Sequence, residues 1–60
     1  MIVQDLYRIA CSYQIVNIVD ADVEEFVYKG YFVDTPKNLF NCEVTFIDTR
    51  GDILLIYVYL

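Results

Sequence analysis

Residues 53–60, Ile-Leu-Leu-Ile-Tyr-Val-Tyr-Leu, form an unbroken apolar run in a chain of 60 residues. Successive side chains of a strand point to opposite faces, so a strand that is apolar throughout must be covered on both sides. Sixty residues make a single domain, and a domain of that size buries only about 60% of the surface its unfolded chain exposes. Leu, Ile, Val and Phe supply 24 residues and Tyr another six, more apolar surface than one small core readily hides. The sequence therefore predicts that part of this surface is covered by something else, and a second copy of the chain is the expected cover. The alternative is a central strand whose second face is covered by the chain's own loops.

The remaining segments sort by period. Ile2, Val3, Leu6, Ile9, Ala10 and Tyr13 follow the spacing of one helical face, so residues 3–12 are expected to form an amphipathic helix. Asp5 falls in its first turn and Arg8 three residues later, where the two can pair on the surface. Residues 15–19 and 26–33 are β-branched and aromatic runs separated by the polar segment 20–25, which suggests an antiparallel hairpin. Gly30 interrupts the second run and suggests a bulge or a close approach by another backbone. Asp34-Thr35-Pro36 stops the strand, with Pro at the first position of a one-turn helical connector over residues 37–41. Residues 42–48 and 53–60 form a second hairpin around Thr49-Arg50-Gly51-Asp52, whose glycine can take a positive φ. The expected fold is α+β, an N-terminal helix packed on a four-stranded, mostly antiparallel sheet in the order αββ(α)ββ, as one domain over residues 1–60.

Charge narrows the function. Nine acidic residues against Arg8, Lys29, Lys37 and Arg50 give a net charge of −5. Nucleic-acid binders cluster Lys and Arg to displace counterions from phosphates; here the four cations are scattered, and direct DNA or RNA binding is not expected. An acidic field instead favours a basic partner, such as the nucleic-acid-binding face of another protein. Asp20, Asp22, Glu24 and Glu25 form the densest cluster and are the candidate partner-binding residues. Their alternating oxygens could also serve a hard cation, but the segment lacks the turn glycine and distal glutamate of an EF-hand loop, and neither a metal nor a cofactor is expected. If the last strand alternates regularly, Tyr57 and Tyr59 share a face with Ile53 and Leu55, and Leu55, Tyr57 and Tyr59 are the candidate self-association residues.

Catalysis is not expected. There is no His, Ser12 has no base near it in sequence, and neither Gly30 nor Gly51 belongs to a phosphate-cradling loop. Arg50-Gly51-Asp52 spells an integrin-binding tripeptide but fills a turn that needs Gly anyway. Cys11 and Cys42 read as small buried hydrophobes of a reduced compartment, with a Cys11 to Cys42 bridge as the alternative. Asp5 and Arg8 break any apolar leader, and a spanning helix needs about 20 apolar residues, so a cytoplasmic, non-membrane protein is expected.

Asp5-Leu6-Tyr7, an acidic hairpin, Lys29-Gly30-Tyr31 leading to Thr35-Pro36, then Cys42-Glu43-Val44 and Ile56-Tyr57-Val58 give a layout that resembles short proteins encoded by phages and prophages of Gram-positive gut bacteria. Some of these are anti-CRISPR or other anti-defence factors. The resemblance implies an inhibitor that binds a host protein and blocks its nucleic-acid site or its assembly. A purely structural homo-oligomer or accessory subunit is the alternative, and a nucleic-acid-binding or nicking protein with a site between subunits is a second.

Overall fold

The computed structural model describes residues 1–10 and 12–60. Four strands, β1 (Ile15–Asp20), β2 (Glu25–Tyr31), β3 (Glu43–Arg50) and β4 (Ile53–Tyr59), form one sheet in the order β2-β1-β4-β3. The β1–β2 and β3–β4 pairs are antiparallel hairpins, and the two hairpins join through a parallel β1–β4 pair. The fold is α+β, and among the described residues every helical segment is a short 3₁₀ turn: Val3–Arg8, Phe32–Asp34 and Lys37–Leu39.

These turns cover one face of the sheet. Val3, Leu6, Phe32 and Leu39 pack onto Val16, Ile18, Ile56 and Val58, and the eight residues form the buried core. Phe32 is fully enclosed and its ring lies 4.4 Å from that of Tyr7 at an interplanar angle of 30°, with Phe40 edge-on to Tyr7 at 5.3 Å. The connector between β2 and β3 therefore contributes as much to the core as the N-terminal segment does.

The expected helix over residues 3–12 is a six-residue 3₁₀ helix that ends at Arg8. Two sets of hydrogen bonds explain the shortening. At its start, the Val3 and Gln4 amides donate to the carbonyls of Cys42 and Phe40 at 3.1 and 3.0 Å, which ties the first turn to the connector. Beyond its end, the Ser12 and Gln14 carbonyls accept from the Val33 and Phe32 amides at 2.9 and 2.8 Å, which commits that segment to extending the first hairpin. Val3 and Leu6 have the three-residue spacing of a 3₁₀ helix and face the core, whereas Ile9 and Tyr13 are left 78% and 74% exposed. Asp5 does not pair with Arg8; its carboxylate accepts the Ile2 amide at 3.0 Å, satisfying a donor at the helix start.

The second strand is shorter than residues 26–33, because Phe32 turns inward to the core and Phe32–Asp34 closes as a 3₁₀ turn, with the Thr35 hydroxyl donating to the Phe32 carbonyl at 2.7 Å. Pro36 precedes the next 3₁₀ turn as its cap instead of occupying its first position. At the second hairpin, β3 runs to Arg50, and Gly51-Asp52 makes a two-residue loop in which Gly51 takes φ of 59°.

Gly30 has a different role from the one its position suggested. The irregularity in the β1–β2 ladder lies between Ile18 and Val19, opposite Val27, and not at Gly30. What approaches Gly30 is a side chain: the Tyr28 hydroxyl donates to the Tyr31 carbonyl at 2.6 Å, and a Cβ on Gly30 would sit 2.7 Å from that hydroxyl oxygen. Desolvation, with smaller contributions from Asp34 and Tyr7, holds the Tyr28 phenol above its usual pKa. Gly30→Ala is expected to destabilise the protein by about 2 kcal/mol or more, because Gly30 holds φ of 156°, a conformation that a residue with a Cβ rarely adopts, and because the added methyl displaces the Tyr28 hydroxyl from its hydrogen bond. Tyr28→Phe on the Gly30→Ala background removes the clashing oxygen and is expected to make the glycine substitution less costly than in wild type; urea unfolding of the four proteins measures both effects.

Candidate functional site

Among the described residues, no helical turn packs on the other face of the sheet; Tyr13, in the turn before β1, stands at its margin with its ring 5.9 Å from that of Tyr31. Reading across the strands in register, the side chains of this face form three rows. The first is Phe26, Val19, Tyr57 and Phe46; the second is Lys29, Asn17, Leu55 and Asp48; the third is Tyr31, Ile15, Ile53 and Arg50. Alternation along β4 thus places Leu55, Tyr57 and Tyr59 on one face, as expected, and that face is the open one. Leu55 and Val19 are buried, because they sit in the two central strands with side chains on every side. Tyr57 is half-buried against Phe46, their rings 5.6 Å apart, and Tyr59 is exposed beyond the first row.

Around this apolar centre, the edge strands are exposed. Phe26 and Phe46 are 53% and 58% accessible, and the Lys29 ammonium rests 4.1 Å above the Phe26 ring centre, a cation–π contact on the same face. A shallow depression of about 210 Å³ runs between Phe26, Asn17, Leu55, Tyr57, Ile53 and Arg50. Phe26, Lys29, Phe46, Asp48 and Arg50 were not singled out by the sequence as members of this face. Each lies on an edge strand, and only the pairing register brings them beside β4.

The four acidic candidates stand on one turn at the end of the β1–β2 hairpin. Asp20 and Glu25 are cross-strand partners at its base, and Asp22 and Glu24 are exposed on it. The turn is well tied: the Asp22 amide donates to the Asp20 carboxylate at 2.9 Å, the Glu24 amide to the Asp20 carbonyl at 2.7 Å, and the Ala21 amide to the Val58 carbonyl at 2.8 Å. Glu24 holds φ of 56°, an uncommon conformation for a residue with a side chain. Among the described residues, no Lys or Arg lies within ion-pair distance of the turn's carboxylates. Arg50 is at the opposite end of the sheet, level with Ile15. Val23, 59% exposed between Asp22 and Glu24, adds an apolar side chain to the turn.

The other side chains with chemical potential are spread apart. Cys42 is half-buried at the end of the connector, its thiol 3.9 Å from the Asn38 carbonyl, so it is less buried than expected; Cys11, and with it the Cys11 to Cys42 bridge, lies outside the described residues. Among the described residues no three of His, Cys, Asp and Glu are grouped to hold a metal, and no helix is long and apolar enough to cross a membrane. The arrangement offers two surfaces, an acidic turn and an open apolar sheet face bordered by Lys29, Asp48 and Arg50. Neither family models, curated proteins nor solved structures provide a match to this chain.

Proposed function

We propose that this protein is a non-catalytic binding module that acts by occupancy in the cytoplasm of a bacterial host, presenting the turn of Asp20, Asp22, Glu24 and Glu25 to a basic surface on another protein. The observation that carries this reading is the turn itself: a cluster of carboxylates without an ion-pair partner among the described residues, fixed by backbone hydrogen bonds. Preset charge of one sign speeds encounter with the opposite sign and loses little side-chain or loop entropy on docking. A protein surface that handles nucleic acid is the basic target such a turn fits, and an inhibitor of a host nucleic-acid-handling or defence protein, of the anti-CRISPR kind, is the specific form of the proposal. A purely structural homo-oligomer is the second reading, favoured by the uncovered sheet face.

The two are separated by reversing Asp22 and Glu24 to Lys. Both side chains are exposed, so the fold and its thermal midpoint are expected to change little. Association with a basic partner captured from host lysate is expected to slow by about tenfold or more, with an effect that shrinks as salt is raised. If the double variant binds the partner as fast as wild type, the turn is not the recognition surface. Plain DNA serves as the control: wild type that binds it at physiological salt, and binds it more tightly once the lysines are added, points to direct nucleic-acid binding and overturns the proposal.

A further inference from the structure

The open sheet face is self-complementary in charge, and in only one of the two ways that a pair of copies can stack on it with their strands aligned. Closed two-fold symmetry that brings identical faces together requires an axis lying in the plane between them. For sheets stacked with their strands aligned, that axis runs close to the strand direction or close to the direction across the strands. With the axis across the strands, each strand meets its own copy, so Lys29 faces Lys29 of the second copy and Asp48 faces Asp48. With the axis along the strands, β2 stacks over β3 and β1 over β4, and each row meets the same row reversed.

In this second arrangement the middle row, Lys29, Asn17, Leu55 and Asp48, places each Lys29 against the other copy's Asp48 and each Leu55 against Asn17. The first row brings Phe26 to Phe46 and Val19 to Tyr57, and the third brings Arg50 to Tyr31, a pairing suited to cation–π contact. Asn17 apart, apolar side chains fill the centre, and the complementary charges lie at the two edges.

We infer that the protein forms a face-to-face homodimer through this surface, two sheets packed with their strands aligned and Lys29 of each copy paired with Asp48 of the other. Aligned sheets cross at about 30°, an angle at which long edge side chains such as Lys still reach across the interface. Four strands about 4.8 Å apart and seven residues of about 3.3 Å each give a face of roughly 440 Å² in plan. Two such faces, corrugated by aromatic side chains, bury an area near the lower limit for a specific interface, so the dimer is expected to dissociate in the micromolar range. The two acidic turns then lie at the same end of the dimer, about 14 Å apart at sheet spacings of about 10 Å and strand spacings of about 4.8 Å. That separation exceeds the screening length of about 8 Å at physiological ionic strength, so their repulsion is small. The inference does not depend on what those turns bind.

Sedimentation equilibrium on wild type, Lys29→Asp, Asp48→Lys and the double exchange tests it. Lys29 and Asp48 are both exposed in the single chain, and circular dichroism checks that each variant retains its fold. Either single reversal places like charges together twice per dimer and is expected to weaken association by about tenfold or more, while the double exchange restores it to within a few-fold of wild type. A wild type that stays monomeric into the high micromolar range overturns the inference. So does a dimer indifferent to both reversals, the behaviour expected if edge strands pair instead of faces, or one weakened by each reversal and not rescued by the exchange.

Discussion

Leu55→Asp is expected to leave the chain largely unfolded. Leu55 is 6% exposed in a central strand, and its cross-strand neighbours are Asn17 on one side and Asp48 on the other. The new carboxylate meets a like charge, Asp48, directly opposite; the nearest cation, Arg50, is only a diagonal neighbour at the exposed edge, and the Lys of the same row is two strands away on β2. Loss of the leucine contacts and burial of an unpaired charge together amount to about 3–5 kcal/mol. At about 0.05–0.15 kcal/mol per residue, a 60-residue domain has roughly 3–9 kcal/mol in total, so the substitution removes most or all of it. Leu55→Asn keeps the shape of the new side chain without its charge and is expected to cost less. Thermal unfolding followed by circular dichroism gives both values, and a folded Leu55→Asp protein with an unchanged midpoint is incompatible with a buried Leu55.

Phe32→Ala is expected to destabilise by a similar amount, about 3–5 kcal/mol, for a different reason. Phe32 is fully enclosed by the helical layer and carries the stacking contact with Tyr7, which is itself held edge-on by Phe40. Removing the ring leaves a void that three separate segments would have to close together, and a layer built from short 3₁₀ turns has no long helix to slide into it. The test is urea unfolding of Phe32→Ala beside Phe32→Leu, which fills much of the volume and is expected to lose about half as much or less. Equal stability of Phe32→Ala and wild type would show that this layer contributes nothing to the core.

Much of the sheet was legible because period-two patterns and turn residues are local properties. The two hairpins, the positive φ of Gly51 and the shared face of Leu55, Tyr57 and Tyr59 all follow from spacing along one strand or one turn. The N-terminal helix was overestimated because helical spacing at Leu6, Ile9 and Tyr13 competes with hydrogen bonding to a segment some 20 residues away. Ser12 and Gln14 are drawn into the hairpin by Val33 and Phe32, and no local pattern records that choice. Gly30 gave a true signal with the wrong neighbour, since a glycine marks a close approach without saying that a tyrosine hydroxyl makes it. The candidate surfaces divide in the same way. The acidic turn is contiguous in sequence, whereas the open face is assembled from all four strands, and Lys29, Asp48 and the phenylalanines join it only through register.

The parallel pairing at the centre of the sheet sets an order on folding. Ile15 pairs with Ile53 and Asp20 with Val58, partners separated by 38 positions, while each hairpin is closed by a turn of only a few residues. Hairpins of this kind form within about 1–10 μs, whereas a contact between distant segments must first bear the entropy of closing the chain between them. The late event is therefore the docking of two preformed ribbons along β1 and β4. During synthesis the β1–β2 ribbon is complete before β4 exists, and until then β1 offers an unpaired edge carrying Val16, Ile18 and Val19. An unpaired edge of this kind recruits strands from other chains. The charges on the adjoining turn, Asp20, Asp22, Glu24 and Glu25, stand at the end of that edge and repel a second copy of the same ribbon during the interval, a contribution to folding that is independent of the binding role proposed for the turn.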